Sequence, residues 1–150
     1  MSTQLPGSSP YGAVILERFR RPRRRGALAA ANVRGERANA LCGDRVRVEL
    51  AVDPTTDRVR DAGFVGDACA VCVAAASLLA DHVVGATLGD AEGVTAEEIV
   101  TWLEAPLPES RHACARLPLD AMLAGIAEYR AAARRASSSS RPAGESGEAA

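Results

Sequence analysis

The sequence predicts an α+β fold: an N-terminal helix, a small antiparallel three-stranded sheet, and then helices packed on one face of that sheet. Three observations carry this. Residues 45–52, RVRVELAV, alternate charged and apolar side chains with the period of two that marks a half-buried strand. The following DPTTD, residues 53–57, is turn chemistry, and RVRDAGFVG, residues 58–66, reads as a strand returning beside the first. Every later apolar stretch has helical length or helical caps. Strands first and helices after, without alternation, separate this pattern from a parallel α/β sheet.

Taken in chain order, YGAVILERFR at 11–20 spaces Val14, Ile15, Leu16 and Phe19 as a helix that Pro22 ends. Residues 28–40 are small and mixed, with a strand expected around Ala30–Arg34. After the hairpin, CAVCVAAASLLADH at 69–82 carries no charge before Asp81, as a buried helix does. TAEEIVTWLE at 95–104 opens with a capping box, Thr95 as N-cap and Glu98 three positions on. From Pro106 a loop leads into a helix that is expected to end near Arg135.

Length and composition fit one domain: 150 residues, 47% hydrophobic, can bury a core. Residues 1–9 and 136–150 are too polar or too small to offset their ordering entropy and are expected to be disordered, which leaves 10–135 as the folded unit. All 18 basic residues are arginine and none is lysine, so Schiff-base chemistry is excluded. A net charge of −1 argues against general polyanion binding. The exception is RFRRPRRRG, with six arginines between Arg18 and Arg25. It could meet nucleic acid, an anionic membrane or an acidic protein face, or be only a solvated helix end; the scarcity of aromatics nearby makes nucleic acid the weakest of these. No apolar run approaches the roughly 18 residues needed to cross a bilayer, and the N-terminal stretch lacks the apolar region of an export signal, so export is not expected. A cytoplasmic location is expected, without membrane or nucleic-acid partners, and the four cysteines should then be thiols or metal ligands, not disulfides.

Those cysteines are unevenly informative. The hairpin brings the loop before its first strand and the loop after its second to the same end of the sheet, so Cys42 and Cys69 can approach each other. Topology does not bring Cys114 to them. Cys69 stands at a helix N-terminus, where unpaired N–H groups and the dipole favour a thiolate. Asp44 follows Cys42 across Gly43, and this glycine lets both side chains face one ion. Three thiolates and a carboxylate would form a tetrahedral zinc shell, and soft thiolates equally suit iron–sulfur clusters. Isolated buried cysteines can also be plain core residues, and the spacing matches no short zinc-finger pattern. Cys69 and Cys72 form a C-x-x-C at a helix start, the arrangement of dithiol redox enzymes, but without their parallel-sheet context.

Four stretches, in order, carry a resemblance. YGAVILERFRRPRRRGAL looks like an opening helix ending in N-P-R-x-x-G, with Arg21 in place of the asparagine. NALCGD resembles N-P-x-C-G-D, with Ala40 for the proline. FVGDACAVCVAAASLL resembles F-x-G-x-G-C-x-I-S-x-A-S-A-S-M-M, with Ala68 for a glycine and Cys72 for a serine. RHACARLPLDAM resembles the segment of a third cysteine, with a basic residue three places before it. Together they resemble the iron–sulfur cluster assembly scaffolds of the IscU, NifU N-terminal and SufU type over about residues 11–133.

The resemblance implies Cys42, Asp44, Cys69 and Cys114 as the ligand set, Cys114 and Cys69 as persulfide acceptors, and Arg111 as an auxiliary residue able to pair with the site carboxylate. It implies a transient [2Fe–2S] cluster, with Zn2+ as the alternative occupant, a cysteine desulfurase as sulfur donor and apo-proteins as recipients. Such a protein is a scaffold and not a conventional enzyme. Ala113 stands where the IscU branch has a histidine, and His112 is one residue removed, which favours the aspartate-containing shell. The insertion of the SufU branch between the second and third cysteines is lacking. LPESR at 107–111 matches the L-P-P-V-K chaperone-recognition stretch only in part, which weakens the link to a dedicated chaperone. The rival readings are a zinc-dependent sulfurtransferase that relays persulfide sulfur, a C-x-x-C thiol redox enzyme, and a domain whose zinc only holds the fold.

Overall fold

The computed structural model describes residues 12–139. Of the segments expected to be disordered, 1–9 and 140–150 lie outside them, as does Tyr11, while 136–139 are described and helical. Helix α1 spans Gly12–Arg20 and buries Ile15. The sheet follows: β1 Val33–Asn39, β2 Asp44–Val52 and β3 Val59–Asp67, antiparallel in the order β1-β2-β3. Four α-helices follow among the described residues: α2 Ala70–Val83, α3 Leu88–Glu92, α4 Ala96–Leu103 and α5 His112–Ser139. The predicted α+β order holds.

The first strand lies later than expected, at 33–39 instead of 30–34. Its sequence, VRGERAN, gives no apolar alternation because only Val33 and Gly35 are buried. Its start is fixed by Asn32, whose side chain both donates to the Val52 carbonyl and accepts from the Val52 N–H, each at 2.8 Å. The short α3 was not anticipated. It buries only Leu88 and Ala91, too few residues to show a period, and Thr87 caps it through the Asp90 N–H. Helix α4 has the capping box foreseen for Thr95 and Glu98, and α5 runs on to Ser139, past the expected end near Arg135.

Alternate residues of β2, Val46, Val48, Leu50 and Val52, point into one core with Phe64 of β3, the apolar face of α2 and the middle of α5. Burying side chains of this size stabilises by about 1.5–3 kcal/mol each before entropy is counted. β1 and α5 touch backbone to backbone: a Cβ on Gly35 would fall 1.9 Å from the Ala121 carbonyl oxygen. On the opposite face, buried Glu49 accepts from the Leu28 N–H and from Arg47, both at 2.8 Å. That carboxylate pins the arm joining α1 to β1 across the sheet. No described helix is long and apolar enough to cross a membrane.

Candidate metal centre

Three chain segments meet at one end of the sheet. The first is the hairpin loop between β1 and β2, closed by the Asn39–Asp44 pair. Within it the Asn39 carbonyl accepts the Gly43 N–H at 2.8 Å, and its side chain accepts the Leu41 N–H at 3.0 Å. Gly43 has φ +73°, a left-handed conformation that costs an L-residue about 1–2 kcal/mol. This reversal leaves Cys42 exposed on the loop and turns Asp44 inward at the head of β2, 3% exposed.

The second segment is the exit from β3. Cys69 is the N-cap of α2, and its backbone N–H donates to Asp44 Oδ1 at 2.8 Å. The second carboxylate oxygen of Asp44 accepts from the Cys42 thiol at 3.3 Å. One buried carboxylate thus ties the hairpin loop to the start of a helix.

The third segment is the first turn of α5. It delivers Cys114, 1% exposed, with its sulfur 3.7 Å from that of Cys42. Pro118 sits one turn further on. It has no N–H to give the Cys114 carbonyl, so this turn holds Cys114 with one helical hydrogen bond fewer. Ligand atoms of Cys42, Asp44 and Cys114 all lie within 4.8 Å of one another. Cys69 borders the same group through its amide and through its thiol, which acts on Cys114.

Burial, then the Cys69 thiol, then Cys42 and Asp44 push the Cys114 thiol up to about 12. Without a cation beside it, this sulfur keeps its proton at neutral pH. A cation in the cluster would take the proton's place, and the two sulfurs and one carboxylate grouped here suit zinc or iron; the Cys69 sulfur lies outside that group of mutually close ligand atoms. Cys72 is fully buried, and burial first, then the charges of Asp44 and the other cysteines, push its thiol well above the ordinary cysteine range. A dithiol redox pair needs an accessible, acidic thiol. Cys72 offers the reverse and packs in the core.

Arg111 ends a 3-10 turn, Glu109–Arg111, that leads into α5. His112, the first residue of α5, is exposed and lines a neighbouring cleft, outside the group of mutually close ligand atoms. The arginine run is not the free patch that its sequence suggests. Arg18, Arg23 and Arg24 converge on Asp81 of α2 at 2.6, 3.4 and 2.7 Å. Arg24 also reaches Asp61, and Arg25 donates to the Gly66 carbonyl. Burial pulls the other way, yet the hydrogen bonds from Arg18 and Arg24 hold the Asp81 carboxyl below its usual range. Nothing in the spacing of Asp61 or Asp81 signalled these partners.

Residues 10–136 match the NifU-like N terminal domain family. The chain is 36% identical over 120 residues to the nitrogen fixation protein NifU of Azotobacter chroococcum mcd 1, covering 80% of this chain and 38% of that protein. It is 30% identical over 122 residues to the iron–sulfur cluster assembly scaffold protein IscU of Aquifex aeolicus, covering 81% of this chain and 77% of that one. Its fold is similar to the crystal structure of the N-terminal part of a nitrogen-fixing NifU-like protein from Brucella abortus, with a TM-score of 0.63 and 28% identity over 80% of this chain and 94% of that one. The match over nearly the whole described fold makes the assignment plain: the chain belongs to the NifU-like N-terminal domain family.

Proposed function

We propose that this protein is a scaffold on which an iron–sulfur cluster is assembled and from which it is passed on. Iron and sulfur are its cargo. Sulfur comes from a cysteine desulfurase, a [2Fe–2S] cluster forms on Cys42, Asp44, Cys69 and Cys114, and apo-proteins receive it. The observation that carries this reading is the meeting of Cys42 and Cys114, 72 positions apart in sequence, at 3.7 Å beside one buried carboxylate.

Sulfur acceptance is an exchange between thiols. A cysteine thiolate attacks the outer sulfur of the donor persulfide, the donor's S–S bond breaks, and the donor cysteine leaves as a thiolate. Cys114 and Cys69 are the proposed acceptors. Cys114 is buried, with the Cys42 sulfur 3.7 Å away, whereas Cys69 is partly exposed. Arg111, three residues ahead of Cys114, is proposed to pair with the site carboxylate.

Asp44 suits release. Thiolates grip iron, and one oxygen makes a harder, weaker corner. The Cys69 N–H already bonds Asp44 Oδ1, so the buried carboxylate keeps a partner when the cargo leaves. An unpartnered buried charge would oppose departure.

The same donors also form a zinc shell, and a zinc-held site that relays persulfide sulfur is the second reading. Anaerobic incubation with a cysteine desulfurase, cysteine, ferrous iron and a thiol reductant, which supplies the electrons that take persulfide sulfur to sulfide, separates the two. The scaffold reading expects iron and acid-labile sulfide in equal amounts per chain and their transfer to an apo-ferredoxin. Persulfide on the protein with zinc retained and no labile sulfide would establish the relay instead.

A further inference from the structure

Cys114 is the most deeply placed of the three proposed ligand sulfurs, 1% exposed, yet the turn that carries it is weakly held. Helix α5 divides at Pro118, which stands inside it. Beyond the proline the helix is fixed to the sheet. Leu119, Ala121, Met122 and Ile126 are buried, and a Cβ on Gly35 of β1 would fall 1.9 Å from the Ala121 carbonyl oxygen. Ahead of the proline, residues 112–117 have less to hold them. Pro118 has no N–H for the Cys114 carbonyl, and a proline ring in a helix crowds that same carbonyl. The 3-10 turn Glu109–Arg111 that leads in lacks a side-chain cap, and the first turn of α5 carries no acidic residue to favour its dipole. Arg116 and Asp120 pair across the break at 3.5 Å, but both are well exposed and such a pair adds little.

The turn also borders open space. His112, Ala113, Arg116 and Leu117 line a cleft of about 930 Å3 that lies between it, the end of β1 and α4. What keeps the turn closed is burial of Cys114, Ala115 and Leu117, together with the contact of the Cys114 sulfur with that of Cys42 at 3.7 Å.

We propose that Pro118 is a positioning residue that makes residues 112–117 a hinged turn, opening into the cleft to bring Cys114 out of the core and closing when a cation bridges Cys114 to Cys42. Opening gives up one backbone hydrogen bond fewer than it would with alanine at 118. A sulfur so presented reaches the outer sulfur of a donor persulfide, whose S–S bond breaks and whose inner cysteine leaves as the thiolate. That consequence rests on reading Cys114 as a sulfur acceptor; the motion does not.

Pro118→Ala restores the missing N–H in a residue that favours helix, and Pro118→Leu does the same while refilling the space of the buried ring. Amide hydrogen exchange of the full chain is followed at Arg116 and Leu117, which a regular helix bonds to residues 112 and 113, without metal and with zinc. In the metal-free wild type these amides should exchange at least about tenfold faster than those of Met122 and Ile126, and zinc should slow them. Both variants should slow them about tenfold without zinc. Incubation with a cysteine desulfurase and cysteine, followed by mass analysis of proteolytic peptides, reads persulfide on Cys114 and Cys69 separately. A thiol reached only through opening reacts in proportion to the open population, so the variants should load Cys114 about tenfold more slowly and Cys69 at the wild-type rate. A general change in stability would not give that split. Turn amides as slow as those of Met122, or unmoved by either variant, overturn the hinge. Variants that slow the turn yet load Cys114 as fast as the wild type overturn its part in presenting the sulfur. A wild type that loads no cysteine defeats the reading of the site, while the exchange rates still decide the motion.

Discussion

The arginine run at 18–25 and the hairpin loop at 39–44 are both short, charged, and placed where the chain turns, yet the fold treats them in opposite ways. Around the run it supplies counter-charges, Asp61 from β3 and Asp81 from α2, and closes a clasp that fastens α1 and the following arm to the rest. To the loop, which carries its own buried carboxylate at Asp44, it brings the Cys114 thiol of α5 and no counter-charge among the described residues, and it leaves Cys42 and Leu41 in the open. Charge density in a sequence therefore does not distinguish a docking patch from a structural lock. What distinguishes them is whether a distant element brings the opposite charge.

This contrast can be broken by substitution, and the clasp should show the largest effect on stability. Asp81→Ala removes the counter-charge shared by three guanidiniums, two of them less than a third exposed, of which only Arg24 keeps another carboxylate, Asp61, and should cost about 2 kcal/mol in urea unfolding, with zinc stoichiometry unchanged. The pH dependence has a definite sign. Because the folded-state carboxyl of Asp81 is held low, its contribution is present above the unfolded value of about 3.9 and is lost as pH falls through the folded value. The wild type should thus lose its advantage over Asp81→Asn only below about pH 4. An advantage that disappears nearer neutrality would show that the clasp does not hold this aspartate.

At the loop, stability effects should be smaller and functional ones larger. Asp44→Ala frees the Cys69 N–H and, like the loss of a helix cap, should cost about 1 kcal/mol. It should also slow release of any assembled cluster to an apo-protein; release at the wild-type rate would refute the weak-corner role. Gly43→Ala, forced into a left-handed conformation with open space around it, should lose about 1 kcal/mol and misplace Cys42 relative to Asp44. Cys42→Ser lies at the end of the scale. On an exposed loop it should change stability by about 0.5 kcal/mol or less, yet remove cluster assembly.

Much of this comparison could be read in advance, and the unread part has a common cause. The β2–β3 hairpin, the capping box of α4 and the neighbourhood of Cys42 and Cys69 follow from local rules of period, turn and cap. β1 was expected but a few residues early, because most of its side chains are charged and exposed, and what places it is a pair of hydrogen bonds from Asn32 and the glycine contact with α5. The approach of Cys114, the cover over it and the arginine clasp all depend on packing between elements far apart in sequence. There the residue pattern is silent, and resemblance to a family, not spacing, supplied the third cysteine.

The proposed convergence of Cys42, Asp44, Cys69 and Cys114 on one ion is tested most directly by X-ray absorption at the zinc edge of the zinc-loaded protein, wild type against Asp44→Ala. A shell of three sulfurs and one oxygen is expected, with the oxygen scatterer altered by the substitution and the sulfurs kept. Fewer sulfurs, or a shell indifferent to Asp44, would contradict it.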